Sequence, residues 1–233
     1  MAKDNQEVQT STQRNRSDQS RQALILAAVK VFGEFGLDGS RSRVLAEAAG
    51  VNVALINYHF GGKQGLYLAM LENIGDRVIG RISPILDHIQ NQMATIGNDQ
   101  RKLKEFSIAS LEMLLFGMLM MFLSKEVTSF SIIVDREQQR PTVGFDVIYK
   151  KFLGVVITNI TALVAAAKGL DENSEDARLS AIMLVGQVLV FRSAYATVTK
   201  FMKWDEIGEE QVTMIKKQIS ETINATLSVD ERA

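Results

Sequence analysis

SRVLAEAAGVNVALINYHFGGK, residues 42–63, is the stretch of the chain that decides the fold. Two short segments with apolar side chains stand on either side of Gly50-Val51-Asn52, and helices of fewer than three turns are not stable alone in water. Ala46 would let the two helices pack closely, Gly50 permits the turn between them, and Val51 can plug that turn into a core. This pattern predicts a helix-turn-helix, whose second helix projects far enough to enter a DNA major groove about 12 Å wide.

The segment before this stretch supplies the helix on which the pair must dock. Apolar residues from Leu24 to Phe35 recur at helical spacing, and Gly36 follows where a left-handed C-terminal cap is expected. We therefore predict a first helix from about Ser17 to Phe35 and a three-helix DNA-binding domain over residues 20–66. Residues 1–19 are polar throughout, lack the apolar core of a signal peptide, and are predicted to form a disordered tail.

The rest of the chain also has the pattern of helices. It contains only two prolines, its apolar residues recur every three or four positions, and no strand alternation competes. The predicted architecture is therefore all-α: the helix-turn-helix head is joined by a long helix to a larger helical domain, residues 67–233, for ligand binding and dimerisation. The long helix is predicted from Lys63 to about Ile82, with further helices at about 84–96, 100–125, 141–168, 174–201 and 206–228.

Composition excludes several classes of function. The chain has no cysteine, which rules out disulfides, thiolate metal sites and cysteine nucleophiles and favours a cytoplasmic location. Its two histidines, His59 and His88, occur without a recognisable catalytic motif, so we expect no enzymatic activity, no metal and no cofactor. The most apolar run, Leu111–Leu123, is shorter than the about 20 residues that a membrane-spanning helix needs, and we interpret it as buried core with no membrane partner.

Charge is distributed unevenly along the chain, although the net charge is only −1. Residues 11–63 hold seven basic and four acidic side chains, a local net charge of +3. The excess is small, but it has the sign that a segment approaching phosphates needs.

The pattern A-x-x-A-G-V-x-x-A-x-I-x-x-H-F-x-x-K, from Ala46 to Lys63, resembles the DNA-binding signature of the TetR family of repressors, and the resemblance covers about residues 20–70. Position 57 is usually tyrosine in that family, whereas this chain has Asn57 followed by Tyr58. This departure leaves open which aromatic residue contacts the DNA backbone. It also places an amide where it can read an adenine edge.

The predicted DNA contacts lie around both short helices and at the start of the long helix. By the resemblance, Arg43, Tyr58, His59 and Lys63 hold phosphates. For Lys63 the physics agrees, because a cation and the free amides of a helix start together form an anion site. The full predicted set is Arg41, Ser42, Arg43, Asn52, Val53, Ala54, Leu55, Asn57, Tyr58, His59 and Lys63.

A candidate ligand pocket lies in the larger domain. Residues 107–123 are almost uniformly apolar and hold four of the ten methionines, whose unbranched side chains adapt to ligands of varied shape. A Met-rich core without a ligand is the alternative. The segment REQQRPTVGFDVIY, residues 136–149, is similar to the C-terminal domain of the CecR (CerR)-like branch of the TetR family, which implies a sensor of drug-like or metabolite compounds. The predicted pocket residues are Phe106, Met113, Phe116, Met120, Phe145 and Tyr149.

The last two predicted helices offer a dimer interface. Residues 177–201 are apolar on nearly every face, and the final helix carries an apolar stripe from Val212 to Leu227. Together they hold more apolar surface than a monomer needs, which predicts a four-helix seam between two copies. The alternative is that both helices are internal to a monomer.

These observations predict a ligand-responsive repressor that binds a palindromic operator in double-stranded DNA as a homodimer. A small-molecule effector, apolar or drug-like, would bind the C-terminal domain and release the DNA. The second hypothesis is a helical ligand-binding or interaction protein whose head no longer reads DNA, and Asn57 is the residue that favours it.

Overall fold

The computed structural model describes residues 2–124 and 128–228, with side chains at 15–124 and 130–228. These residues are helical almost throughout and contain no β-strand, so the all-α prediction is confirmed. The elements are α1 (Ala2–Gly39), α2 (Ser42–Ala49), α3 (Ala54–Phe60), α4 (Lys63–Ile96), α5 (Gln100–Leu123), α6 (Thr128–Gln139), α7 (Val143–Ile148), a π-helical turn (Tyr149–Leu153), α8 (Gly154–Lys168), α9 (Glu175–Ser193), α10 (Tyr195–Met202) and α11 (Glu209–Leu227).

Several helix boundaries differ from the sequence-based ones. Helix α1 begins at Ala2, so the structure continues the helix through the segment that was expected to be a disordered tail; residues 2–19 contain no glycine or proline to stop it. Gly36 leaves the helical conformation at a φ of 70°, where a terminating glycine was predicted. Helix α4 continues past Pro84 to Ile96, and α6 was not predicted at all.

The described residues form two compact units, one of residues 2–79 and 128–152 and the other of residues 80–124 and 153–228. The first unit is therefore discontinuous in sequence, and its boundaries differ from the predicted division at residues 66 and 67. The functions attached to the predicted ranges remain predictions.

The first unit has its core between α1 and the helices packed on it. Leu24, Phe32 and the other predicted apolar positions of α1 are buried, except Phe35, which is half exposed. The ring of Phe32 meets Tyr67 of α4 edge to face, with 4.9 Å between ring centroids. Leu45 of α2 and Ile56 of α3 complete this core, and both are essentially inaccessible to solvent.

Helix α6 is fixed to α1 by Arg136. The guanidinium donates from Nη1 to the carbonyl oxygen of Phe32 at 2.9 Å and from Nη2 to that of Gly33 at 3.4 Å. These carbonyls lie in the last turn before Gly36, where the helix leaves oxygens without intrahelical partners. Arg136 therefore satisfies the end of α1 from a helix far along the chain.

The neighbouring Glu137 fixes α6 to α4 and to the start of α7. This carboxylate is 2% exposed and accepts three hydrogen bonds, from Tyr67 Oη at 2.7 Å, Thr142 Oγ1 at 2.7 Å and Thr142 N at 2.9 Å. Burial first, and then the hydrogen bond to Glu137, raise the pKa of Tyr67 well above its ordinary value. We refer to Arg136 and Glu137 with these partners as the α6 clamp.

The second unit is built around α5, which packs on α8, α9 and α11. The interpretation of Leu111–Leu123 as buried core is correct for only one face of α5. That face contains Ser107, Ser110, Leu111, Leu115 and Leu119, whereas Met113, Met120 and Met121 are exposed.

Two apolar stretches of the chain, Gln100–Leu123 and Val143–Lys168, are long and apolar enough to cross a membrane by length and composition alone, and so are α9 and α10 taken as one bent pair. The apolar run Leu111–Leu123 is only the second half of α5, which has 24 residues, so the run alone underestimates the length of this helix. In the fold, both stretches contribute residues to helix-to-helix contacts: α5 and α8 pack on each other and on α9.

The last predicted helices are rearranged in the structure. The helix expected over 174–201 is two helices, α9 and α10, bent by 82° at Ala194. The stripe of α11 is buried inside the unit at Ile215, Ile219, Ile223 and Leu227, so these side chains are not available for the predicted dimer seam.

Candidate nucleic-acid interface

The turn between α2 and α3 has the geometry that its residues predict. Gly50 adopts the left-handed conformation, with φ 65° and ψ 32°, which side chains disfavour. Its amide donates to Glu47 O at 3.1 Å, and the amide of Val51 donates to Ala46 O at 3.0 Å. Asn52 Oδ1 then accepts from the amide of Ala54 at 2.8 Å, which starts α3. The two helices are thus joined by a closed turn.

Helix α3 is held by one face and exposes the other. Ile56 is 1% exposed and anchors the helix in the core, with Leu55 half buried beside it. The other predicted contact residues between positions 52 and 58 are exposed, and Tyr58 is 75% exposed. The exposed set is Asn52, Val53, Ala54, Asn57 and Tyr58.

Two exposed arginines flank the start of α2. Arg41 occupies the N-cap position in extended conformation without a side-chain cap, so Ser42, half buried, is the first helical residue. Arg43 Nε donates to Glu47 Oε1 at 3.3 Å, but the arginine side chain remains 87% exposed. Exposed ion pairs of this kind contribute little to stability. The Arg43 guanidinium can therefore exchange Glu47 for a phosphate.

His59 and Phe60 face α1. The Nε2 atom of His59 lies 2.9 Å from Ser20 Oγ, and Ser20 Oγ donates to Ser17 O at 2.8 Å. The hydroxyl has one proton, so in the tautomer that matches its bond to Ser17 O, His59 Nε2 donates to Ser20 Oγ. The guanidinium of Arg21 lies over the ring of Phe60, 5.4 Å from its centroid.

Lys63 has an intramolecular role that the sequence did not reveal. Its Nζ donates to Ser40 O at 2.9 Å and to Asp38 O at 3.4 Å, which ties the start of α4 to the turn between α1 and α2. An ammonium group has three N–H donors. One donor therefore remains for the predicted phosphate contact.

A second unpredicted feature lies at Gly65, in the first turn of α4. A Cβ built on Gly65 would overlap the carbonyl oxygen of Phe60. Only glycine allows this close approach of α3 and α4. In the sequence, the only sign was a glycine inside a predicted helix, and such a glycine does not indicate which contact requires it.

The predicted ligand residues are divided between the two units. Phe106 and Phe116 are half buried on α5, and Met113 and Met120 are exposed on the same helix. Phe145 and Tyr149 belong to the other unit, where their ring centroids lie 6.0 Å apart. Neither unit alone assembles the predicted pocket, which stays a prediction.

Among the residues that the structure describes, no group of three or more His, Asp or Glu side chains could hold a metal ion.

Comparison with known proteins assigns both halves of the chain. Residues 24–70 match the family described as bacterial regulatory proteins, tetR family. Residues 108–228 match the C-terminal domain of the HTH-type transcriptional dual regulator CecR. The CecR regulator of Shigella flexneri is 27% identical over 205 residues, which cover 88% of this chain and 90% of that protein.

Two further similarities concern one domain and the fold. The transcriptional regulator RutR of Escherichia coli K12 is 37% identical over 70 residues, 30% of this chain and 33% of RutR. A crystal structure of a TetR-family regulator from Mesorhizobium loti has a TM-score of 0.57 at 17% identity, and the alignment covers 91% of this chain and 97% of that one. That likeness shows the fold alone.

Proposed function

The chain belongs to the TetR family of bacterial DNA-binding transcriptional regulators, in the branch with the CecR C-terminal domain, and we propose that it is a ligand-responsive repressor. In this proposal it binds a palindromic operator as a homodimer in the cytoplasm, and a small molecule releases it. No enzymatic step is involved. Because the Shigella flexneri relative is named a dual regulator, activation at some operators is compatible with the same DNA contacts.

The exposed face of α3 is the observation that carries the proposal. Ile56 holds the helix in the core while Asn57 and Tyr58 face outward. An asparagine can pair with the N6 and N7 atoms of adenine, and small apolar side chains such as Ala54 can contact a thymine methyl group. We propose that Asn57 reads a base and that Tyr58 contacts the backbone.

The charged contacts are proposed to position the head without reading sequence. Arg41 and Arg43 are exposed at the start of α2, and Lys63 retains one donor at the start of α4. Such contacts release counterions from DNA and make affinity depend on salt.

The DNA contacts can be tested with the full-length protein and duplexes from the region upstream of its own gene. Asn57→Ala should lose about 1–3 kcal/mol of discrimination between the correct and a wrong base at one base pair. The slope of log affinity against log salt concentration, the salt slope, should stay the same. Arg43→Ala should weaken binding to all duplexes alike and lower the salt slope by about one. Fluorescence anisotropy over a range of about 50 to 200 mM salt would measure both effects.

Arg101→Ala is the matched control, since Arg101 on α5 forms the same kind of exposed pair, with Glu105 four residues later. It should leave DNA binding unchanged. If the wild-type protein ignores every duplex even at low salt, the repressor proposal is wrong and the second hypothesis, a head that no longer reads DNA, takes its place.

We place the dimer interface on α9 rather than on both final helices. Leu179, Ile182, Met183 and Val190 form an exposed apolar stripe on α9, and nothing lies within 4 Å of a Cβ built on Gly186 in the same helix. Apolar patches of this kind mark interaction sites. Two-fold pairing through α9 would give two heads related by the symmetry of a palindrome.

The effector is proposed to be apolar or drug-like and to bind the second unit at Phe106, Met113, Phe116 and Met120 of α5. The match to the CecR C-terminal domain and the adaptable methionines of α5 support this assignment. Helix α4 contributes residues to both units, so it is a continuous element through which binding could bias DNA affinity. The effector must prefer the conformation with weak DNA affinity, since only differential binding shifts an equilibrium.

This part is tested by adding candidate compounds to the protein–duplex complex and measuring anisotropy. A true effector should lower DNA affinity of the wild-type protein and lose its effect in Phe116→Ala. Met214→Ala, an exposed change on α11, should respond as the wild type does. If a compound acts equally on Phe116→Ala, the proposed pocket is wrong.

A further inference from the structure

A cavity of about 430 Å³ lies in the first unit, between the end of α1 and the end of α6. This volume is within the range of sites for small organic molecules. None of the predicted effector residues lines it. It is lined by residues 35–39 after α1, by Tyr67, and by Arg136, Glu137, Gln139, Arg140 and Thr142.

Two of the four charged residues in the wall are already engaged. Glu137 is buried, and its carboxylate accepts three hydrogen bonds from Tyr67 and Thr142. The guanidinium of Arg136 donates to the carbonyls of Phe32 and Gly33. Both groups belong to the α6 clamp, so a ligand does not need to neutralise them.

The other two charged residues, Asp38 and Arg140, have opposite signs and are exposed. Both residues line the cavity, Asp38 at the end of α1 and Arg140 just after α6. Within the described part of the chain, neither side chain forms a hydrogen bond or ion pair, and the two are not paired with each other. The cavity therefore presents one unused anion and one unused cation.

Apolar side chains also line the cavity. Phe35 is half exposed and Leu37 is partly exposed, both at the cavity. A ligand that satisfies all of these groups needs a carboxylate for Arg140, an ammonium for Asp38, and an apolar body for Phe35 and Leu37. Arginine binds carboxylates with two parallel hydrogen bonds, and the reverse orientation would set like charges against each other at both ends of the ligand.

We propose that this cavity is a second ligand site and that it binds a free amino acid with an aromatic or large aliphatic side chain. The site is distinct from the effector pocket in the proposed function. It lies against the α6 clamp and the turn that leads into α2, next to the DNA-binding helices of the same unit.

Isothermal titration calorimetry of the full-length protein tests the site with three probes that share one ring. L-phenylalanine carries both charges, 3-phenylpropionate only the carboxylate, and 2-phenylethylamine only the ammonium. L-phenylalanine should bind about tenfold or more tightly than either single-charge probe. Arg140→Gln should remove its advantage over 2-phenylethylamine, and Asp38→Asn its advantage over 3-phenylpropionate.

Arg77→Gln and Asp87→Asn are the matched controls, because both residues are exposed and neither lines the cavity. They should leave all three affinities unchanged. The site is ruled out if L-phenylalanine shows no binding at millimolar concentration, if a single-charge probe binds as well, or if Arg140→Gln and Asp38→Asn bind as the wild type does. The titration uses no DNA, so its failure would leave the regulator proposal intact.

Discussion

Gly65 is a residue whose replacement by the smallest side chain should damage the fold. A Cβ at this position would overlap the carbonyl oxygen of Phe60, which is backbone and cannot rotate away. Gly65→Ala should therefore lower the free energy of unfolding by about 1–3 kcal/mol, as overpacking in other cores does. Urea unfolding followed by circular dichroism would measure the change.

Gly80 in the same helix provides the control, because nothing lies within 4 Å of a Cβ built there. Gly80→Ala should stabilise the protein by about 0.4–1 kcal/mol, since alanine restricts the unfolded chain. Equal effects of the two substitutions would contradict the close approach at Phe60.

The hydroxyl of Tyr67 should make stability depend on alkaline pH. Its pKa is raised in the fold, by burial first and by Glu137 second, whereas an unfolded tyrosine titrates near about 10. The protonated Tyr67 hydroxyl therefore makes its full contribution to stability below about pH 10. This contribution is lost as the pH rises above that value, because the unfolded state then binds fewer protons than the folded state.

Tyr67→Phe should lower stability at pH 8 by about 1–3 kcal/mol, since Glu137 loses a donor while remaining buried. Above about pH 10 the variant should lose stability with pH less steeply than the wild type. Urea unfolding from about pH 8 to about pH 11 gives the change of the unfolding free energy with pH for both proteins. Equal pH dependence in the variant and the wild type would show that folding does not raise the pKa of Tyr67.

For single residues, the sequence predicted conformation and burial correctly where these depend on neighbours close in the chain. Gly50 takes the left-handed turn and Ile56 is buried, and both follow from spacing within one short segment. The partners of His59 and Lys63 were not predictable, because they lie 39 and 23–25 positions away in the chain. Such contacts depend on how helices pack, which periodicity does not specify.

Among the helices, α9 and α11 differ in how their apolar side chains are used. Met183 on α9 is 67% exposed within an apolar stripe, whereas Met214 on α11 is 43% exposed next to polar neighbours. Met183→Lys should weaken dimerisation by at least about tenfold, because it places an unpaired charge in the proposed interface. Sedimentation velocity at several protein concentrations would measure this.

Met214→Lys should leave the association state unchanged and serves as the control. A monomeric wild-type protein, or equal weakening by both substitutions, would contradict an interface centred on α9.

Sequence periodicity identified most helices but not their breaks. The bend at Ala194 occurs without a proline or glycine, so no local signal marks it. Helix α6 was not predicted. Its last five residues, 135–139, are all polar, yet Arg136 and Glu137 are polar for a structural reason: they bond to α1 and α4. The α11 stripe was recognised correctly, but whether it faced the core or a second copy could not be read from it.

In the proposed dimer, the two heads should read half-sites on the same face of the duplex, with centres about 34–36 Å apart. Inserting about five base pairs between the half-sites rotates one of them by half a turn. Affinity should then fall by about 10²-fold or more, because only one head binds at a time. Electrophoretic mobility shifts would show the loss of the two-headed complex.

Substituting the same number of central base pairs without insertion is the control, and it should preserve binding. Tolerance of the insertion would indicate independent heads rather than a rigid symmetric pair.

The unit that contains the helix-turn-helix is assembled from two separate stretches of chain, and this limits how it can be exchanged between regulators. If residues 1–66 of this chain were joined to the remainder of another regulator, α6 of this chain would be left out. The carbonyls of Phe32 and Gly33 would then lose the Arg136 guanidinium that caps them. A working graft needs to transfer residues 128–152 along with residues 2–79, with three junctions instead of one. Recombination that exchanges only the N-terminal piece would separate the helix-turn-helix from α6, so the proposed DNA-reading unit can move between regulators only together with a segment from the middle of the chain.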